Sequence, residues 1–408
     1  MRKVYKYILL AAILVGTGVS CSKWTQPEPL MPTDLSGNSM TEEEQEQHYA
    51  NIRAYRESDH QIMMGYYQGW GGVTQDFKTS LMGLPDSLDI ISMWGAGFNY
   101  TEAQKADLKE AQQKKGLKCL LVFIAHSIGT QITPSWVMDA SEENPVKVKN
   151  RYTGEYETYT DAIKARRVFW GLDPEDGTDN TAEMDAKGVK AAELYADSLC
   201  HIINNVLYLD GFDWDMEYGW DVGDNLGDLI GDQGKITRQA GHDRTLAFVK
   251  RMREGLGDKI LLIDGEPARL PAPEACVYFD YFANQVYCTK DSNASKRSDT
   301  YLDGYLQGIV DAFSDYLEPE FVASRFIALE SSEWHWAEGG VAWSDRWGTP
   351  GLLSWEGVAR WTPYINGEYM RKGGMGAYLI NNDYAPKTGV VTYPRVRKAI
   401  QIMNPALE

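Results

Sequence analysis

Residues 208–219 read YLDGFDWDMEYG, and the stretch sets four acids into an apolar run. Asp210, Asp213, Asp215 and Glu217 interleave with Leu209, Phe212, Trp214 and Met216, so the composition is that of a buried strand carrying carboxylates. Carboxylates are seldom buried without a partner or a task. Residues two apart on a strand face the same way. Asp213, Asp215 and Glu217 therefore share one face, and Phe212, Trp214 and Met216 the other. Asp210 has the opposite parity and sits at the start of the strand, which suits a structural role. Neighbours on the acidic face lie about 6.6 Å apart. They repel one another when ionised, so at least one should hold its proton at a raised pKa, and the titration belongs to the group. A carboxyl group protonated near neutral pH is what general-acid chemistry requires. A hard-cation site is the alternative that three carboxylates leave open.

The elements that must position these acids follow from the rest of the chain. Seven more apolar runs read as strands: IMMGYYQGW, DIISMWGAG, KCLLVFIAH, KILLIDGEP, YFDYFANQVY, RFIALESSE and GAYLINND, with LDGFDWDME fourth in order. Amphipathic stretches such as TEAQKADLKEAQQKKG, DAKGVKAAELYADSLCHIINN and RTLAFVKRMREGLG lie between them. Buried strands alternating with helices argue for a parallel sheet covered by helices. Eight such units predict an α/β fold, a (β/α)8 TIM barrel with enlarged loops. A doubly wound open sheet is the alternative, but no GxGxxG or P-loop opens a helix. In a barrel the acidic face points inward and the C-terminal ends of the strands form the mouth. Glu217, last of the three, is then nearest to solvent.

These residues also carry a resemblance. DGFDWDME matches the D-x-x-D-x-D-x-E signature of glycoside hydrolase family 18 at every fixed position, and on the fourth strand, where that family has it. The resemblance implies that Glu217 is the general acid/base, that Asp215 orients the substrate's N-acetyl group and stabilises the cation it becomes, and that Asp213 holds and tunes Asp215. It implies a retaining reaction in which the substrate's own acetamido oxygen is the nucleophile, an exception to the two-carboxylate scheme. The sixth strand narrows the choice. Chitinases of the family usually carry M-x-Y-D there, whereas this chain has NQVYC. Q-x-Y resembles the bacterial endo-β-N-acetylglucosaminidases of the family, which cleave the N,N′-diacetylchitobiose core of N-glycans. Tyr287 would then bond the acetamido oxygen and Gln285 would help place that sugar. On the eighth strand Tyr378 stands where chitinases usually have a tryptophan. A chitinase-like hydrolase of the same mechanism is the first alternative, and a non-catalytic glycan-binding barrel the second, disfavoured because Glu217 is present.

The loops suit a sugar. Six tryptophans fall between residues 334 and 361, and aromatic faces stack on the C–H faces of sugars; half or more of the six should simply pack the loop. Trp70 and Trp94, ending the first and second strands, are individually better placed to bind substrate. His126 ends the third strand, where a substrate contact and a structural role are equally supported. The stretch GWDVGDNLGDLIGDQG after Glu217 fails the EF-hand spacing and reads as a mobile rim loop. No G-x-S-x-G supports a serine nucleophile, and neither cofactor nor metal is expected.

The 408 residues carry a formal net charge of −18, which lacks the basic footprint that nucleic acid needs. Expected partners are N-glycans or other N-acetylglucosamine-containing glycans, and a membrane. At the N-terminus Arg2, Lys3 and Lys6 precede YILLAAILVGTGV, an apolar run short for a membrane span, and the run leads to GVSC. This resembles a bacterial lipoprotein signal. Residues 1–20 would be removed, Cys21 would carry lipid, and the protein would be exported and anchored at an outer membrane or cell surface. Residues 21–57 read as a tether and a leading helix, which Thr41 and Glu44 open as a capping box; residues 58–408 read as the catalytic barrel. Of the other cysteines, Cys119 and Cys200 read as buried small residues, and Cys276 and Cys288 bracket a strand too long for a bridge.

Overall fold

The structure, a computed structural model, describes residues 40–72, 77–151, 153–175, 182–219, 227–231, 236–288, 297–384 and 392–405. Its strands are β1 (Ile62–Tyr66), β2 (Ile90–Ser92), β3 (Lys118–Ile124), β4 (Val146–Lys149), β5 (Tyr156–Tyr159), β6 (Gly211–Met216), β7 (Ile260–Gly265), β8 (Tyr281–Gln285), β9 (Phe326–Ser331), β10 (Tyr364–Ile365), β11 (Glu368–Tyr369) and β12 (Gly374–Tyr378). Eight of them close a parallel barrel in the order β1-β12-β9-β8-β7-β6-β3-β2; β4–β5 and β10–β11 are separate hairpins. The eight strands coincide with the eight apolar runs of the sequence, and helices such as Ala182–His201 and Arg238–Leu256 cover the outside. The (β/α)8 expectation holds.

Side-chain parity sorts the core into two. Met64, Tyr66, Leu120, Val122, Leu262, Ile327 and Leu329 pack inside the barrel. Phe212, Trp214 and Met216 belong to the larger core between strands and helices. On β6 that leaves Asp213 and Asp215 inside, fully buried.

The helix Glu42–Arg56 opens with the expected box: Thr41 Oγ1 accepts from the Glu44 amide (3.2 Å), and Glu44 Oε2 accepts from the Thr41 amide (2.8 Å). It packs against the body of the fold: Tyr49 and Ile52 sit in the main core and Arg56 bonds Asp89 (3.1 Å), just before β2. Residues 1–39, with the apolar leader and Cys21, lie outside the described residues. Cys119, Cys200, Cys276 and Cys288 are buried and unbridged. No helix among the described residues is long and apolar enough to cross a membrane.

Candidate active site

The strand register decides which carboxylates meet. Val122 of β3 pairs with Asp213, and Ile124 with Asp215; on the other side Asp215 pairs with Asp264 of β7. A fourth acid thus joins Asp213 and Asp215 of β6 and the adjoining Glu217 at the C-terminal end of the barrel. Asp213, Asp215 and Asp264 are buried, while Glu217, one residue past β6, is half-buried. The ladder has placed three acids in the interior and one at its opening.

Each acid is held differently. Asp213 Oδ2 accepts from Ser92 Oγ of β2 (2.5 Å). Asp264 Oδ2 accepts from the Tyr66 hydroxyl of β1 (2.7 Å) and from Gln285 Nε2 of β8 (3.1 Å). The same amide nitrogen donates to Asp215 Oδ1 (3.2 Å). Gln285 therefore clamps two carboxylates of adjacent strands. Asp215 also shares a side-chain hydrogen bond with Glu217. Two carboxyl groups can share such a bond only when one of them is protonated, which is one reason the Asp215 pKa is raised.

Burial sets the charge state. Desolvation, and then the neighbouring Asp264, hold Asp213 and Asp215 well above the usual carboxylate range. Desolvation raises Asp264 to about 7, although the bonds from Tyr66 and Gln285 oppose the shift. Asp213 Oδ1 and Asp264 Oδ1 are buried without a hydrogen-bond partner, which adds to the cost of ionising either.

The backbone around Glu217 is fixed on both sides. Its own amide donates to His126 Nε2 (3.1 Å), and the next amide, of Tyr218, donates to Glu266 Oε2 (3.0 Å). His126 is fully buried and acts here as a positioning group, since an acceptor at Nε2 must lack its proton. Gly265 ends β7 at φ 89°, and a Cβ there would lie 2.5 Å from Met216 O and 3.1 Å from Glu217 Cγ. A glycine is required for the strand to pass this close.

Aromatic rings surround the opening. Trp94 lies 6.2 Å from Tyr66 and 6.0 Å from Tyr378, and Tyr378 lies 5.8 Å from Tyr287. Trp94, Tyr287 and Tyr378 are half-buried and pack on the barrel interior. β8 ends at Gln285, and Tyr287 sits at φ 34°, an unusual conformation for a bulky residue; its amide bonds Leu329 O (3.1 Å).

The sequence-derived residues thus divide. Asp213, Asp215, Glu217, Gln285, Tyr287, Trp94 and Tyr378 come together. Asp210 stays apart at the other end of β6, where it accepts from the Cys119 amide (2.9 Å) and Gln112 (2.8 Å), in keeping with a structural role. Trp70 is a correction. It is buried, its indole bonds Asp107 (2.7 Å), and it packs edge-on against Tyr100 at 4.9 Å. The chain turns away after Tyr66, so Trp70 caps the core under the helix Glu102–Glu110 and not the mouth. The stretch read as a rim loop is described only at residue 219 and over residues 227–231. Asp228, Leu229 and Ile230 are buried, and Asp228 accepts from the Ile128 amide (2.9 Å); residues 220–226 and 232–235 lie outside the described residues. Of the six loop tryptophans, Trp343, Trp355 and Trp361 are buried in the core.

Asp264, Tyr66 and Ser92 were missed from sequence. Asp264 carried the same signal as the β6 acids, a carboxylate inside the apolar run KILLIDGEP. For Tyr66 and Ser92 only the register shows which side chain turns inward.

Known structures share this architecture. A BT1044 protein carrying a Glu→Gln change is 23% identical over 90% of this chain and 94% of its own, with a TM-score of 0.63. An endo-β-N-acetylglucosaminidase from Cordyceps militaris, solved as a double variant in complex with fucosyl-N-acetylglucosamine-Asn and also in apo form, is 19% identical over 90% of this chain and 98% of its own, with a TM-score of 0.51. No curated protein matches the chain. The family model "Glycoside hydrolase family 18, BT1044-like" matches residues 25–169 and 173–402. That match takes in all eight barrel strands and every carboxylate of the site, and the chain belongs to glycoside hydrolase family 18.

Proposed function

We propose that this family 18 glycoside hydrolase is an endo-β-N-acetylglucosaminidase that cuts between the two N-acetylglucosamines of an N-glycan core. The observation that carries the reading is the placement of Glu217, half-buried at the barrel mouth one residue past the strand that buries Asp213 and Asp215. Glu217 is more exposed than Asp215 and is the group that protonates the leaving oxygen. Asp215, buried and already hydrogen-bonded, turns its carboxylate to the acetamido group, whose oxygen attacks C1 and forms a cyclic oxazolinium. Glu217, now a base, activates the water that opens it, with retention. Asp213 keeps Asp215 in place electrostatically. Gln285 and Tyr287 support the N-glycan reading over a chitinase, because they stand where chitinases of the family carry M-x-Y-D. Trp94 and Tyr378 offer aromatic faces to the sugar at the opening. The lipoprotein-like N-terminus supports an exported, lipid-anchored enzyme acting on glycoproteins outside the cell.

The test is Glu217→Gln against the parent enzyme on an N-glycosylated protein and on chitin oligosaccharides, read by mass. The parent should leave one N-acetylglucosamine on the protein and release the remaining glycan intact. The variant should fold normally and lose turnover by about 10²-fold or more. Comparable turnover in the variant overturns the assignment of the acid. Cleavage of chitin oligosaccharides with every N-glycan left whole transfers the choice to the chitinase.

A further inference from the structure

A second surface of this molecule has the makings of a ligand site. The chain between the helix Ser354–Arg360 and β12 folds into the β10–β11 hairpin, whose turn residues Asn366 and Gly367 lie at φ 53° and 88°. An Asn-Gly turn of this hand matches the twist of an antiparallel pair and sets its register. The register places Tyr364 opposite Tyr369, with ring centroids 4.9 Å apart. Both rings are exposed, and Trp347, the most exposed large apolar side chain described at 74%, stacks on Tyr369 at 6.2 Å and 24°. Arg346 lies against both tyrosines, 5.4 Å from Tyr369 and 5.7 Å from Tyr364. It is itself pinned by Asp303 (2.5 Å) and Thr362 O (2.9 Å). Three aromatic rings are thus held as one preorganised platform facing water.

The platform borders an open cleft of about 740 Å³. Trp347 and Tyr369 line it together with Asp345, Thr349, Arg360 and Arg371. Asp345 is already oriented by the Thr349 amide (2.8 Å) and hydroxyl (2.5 Å). Gln61, immediately before β1, and Lys372, two residues before β12, also line the cleft. The cleft therefore lies towards the N-terminal ends of the barrel strands, whereas the catalytic carboxylates lie at the C-terminal ends.

We propose that this cleft is a second glycan-binding site, in which a pyranose stacks on Trp347 and Tyr369. Flat aromatic faces match the C–H face of a pyranose, and a rim with both carboxylate and guanidinium groups offers acceptors and donors to its hydroxyls. The volume falls within the roughly 300–1,000 Å³ range of ligand sites. An anionic lipid surface is a poorer match for a cleft with a carboxylate on its rim in a chain of net charge −18. Such a site would retain a glycoprotein or polysaccharide while the mouth processes one of its chains. The proposal stands on the platform and the cleft, and does not depend on which bond the mouth cuts.

The experiment is a calorimetric titration of a free high-mannose N-glycan, and separately of a free complex biantennary N-glycan, into Glu217→Gln protein and into the same protein with Trp347→Ala or Tyr369→Ala. Because Trp347 is exposed, the Trp347→Ala protein should fold and melt as the parent does. The Glu217→Gln protein should bind at least one of these glycans at a site that Trp347→Ala and Tyr369→Ala each weaken about fivefold or more, and that Trp94→Ala at the mouth leaves unchanged. Turnover of a short soluble substrate by the otherwise unmodified enzyme should be unaffected by Trp347→Ala. If neither glycan shows a binding event sensitive to Trp347, or if the only event seen is lost with Trp94→Ala, the proposal is overturned. A Trp347-dependent event with no turnover at the mouth would instead overturn the catalytic reading and uphold this one.

Discussion

Asp264 shows how a single side chain trades stability for chemistry. Its pKa in the folded protein is raised from 3.8 to about 7, chiefly by desolvation. Between those values the folded protein holds a proton that the unfolded chain has lost. Stability from this group therefore falls as pH rises from about 4 to about 7, and above that the buried charge carries its full cost, on the order of a few kcal/mol. Asn in its place keeps an acceptor for Tyr66 and Gln285 but never ionises. Asp264→Asn should thus be more stable than the parent at pH 8 and about equal at pH 4, with lower turnover because the field on Asp215 changes. Thermal melts across this pH range check the first part; a variant that melts below the parent at pH 8 would contradict it. The four carboxylates also bear on metals. Among the described residues no group of three or more His, Cys, Asp or Glu is placed to hold a metal ion, although Asp213 and Asp264 each keep one oxygen without a hydrogen-bond partner. Activity should survive EDTA, and loss restored by Ca²⁺ or Mg²⁺ would count against the proton-transfer roles.

At the scale of elements, the contact between β6 and β7 is the one on which the site turns. Asp215 faces Asp264 across it, and at its end Gly265 leaves room for Glu217. In Gly265→Ala a methyl group would meet Met216 O at 2.5 Å and force an L residue into φ 89°. We expect destabilisation of about 1–3 kcal/mol and a fall in kcat out of proportion to any change in KM, because Glu217 must shift while the aromatic rim stays in place. Denaturant unfolding with steady-state kinetics reads both. Unchanged stability would mean that the strands can separate locally at no cost. The leading helix belongs to this scale too. Its capping box and its buried Tyr49 and Ile52 tie it to the barrel, so truncation through residue 57 should destabilise the fold, whereas truncation through residue 39 removes only chain that precedes it.

At the scale of the whole molecule, the proposed anchor and the proposed sites make one arrangement: an exported enzyme, tethered through Cys21, with a catalytic mouth at one end of the barrel and an aromatic cleft towards the other. Cys21→Ser should move the protein from the membrane fraction to the soluble fraction of cells that express the full chain, with turnover of soluble substrate unchanged. Membrane retention in that variant would show that something other than a lipid on Cys21 holds it. The net charge of −18 should keep the released form soluble and monodisperse away from its pI.

Much of this was legible in the linear chain because it rests on local periodicity. Eight apolar runs separated by helical patterns were enough for the barrel, and the two-residue repeat of Asp213, Asp215 and Glu217 was enough for one acidic face, since strand parity follows from backbone geometry alone. Contacts across the ladder were not legible, because they depend on register. That Asp264 lies beside Asp215, that Tyr66 rather than Tyr67 turns to it, and that Gln285 bridges both acids follow only once the strands are paired. Trp70 and Trp94 looked equivalent at the ends of successive strands. Tertiary packing sent one indole to Asp107 in the core and left the other at the mouth, because the direction a chain takes after its strand ends is decided by what it meets there and not by its own sequence.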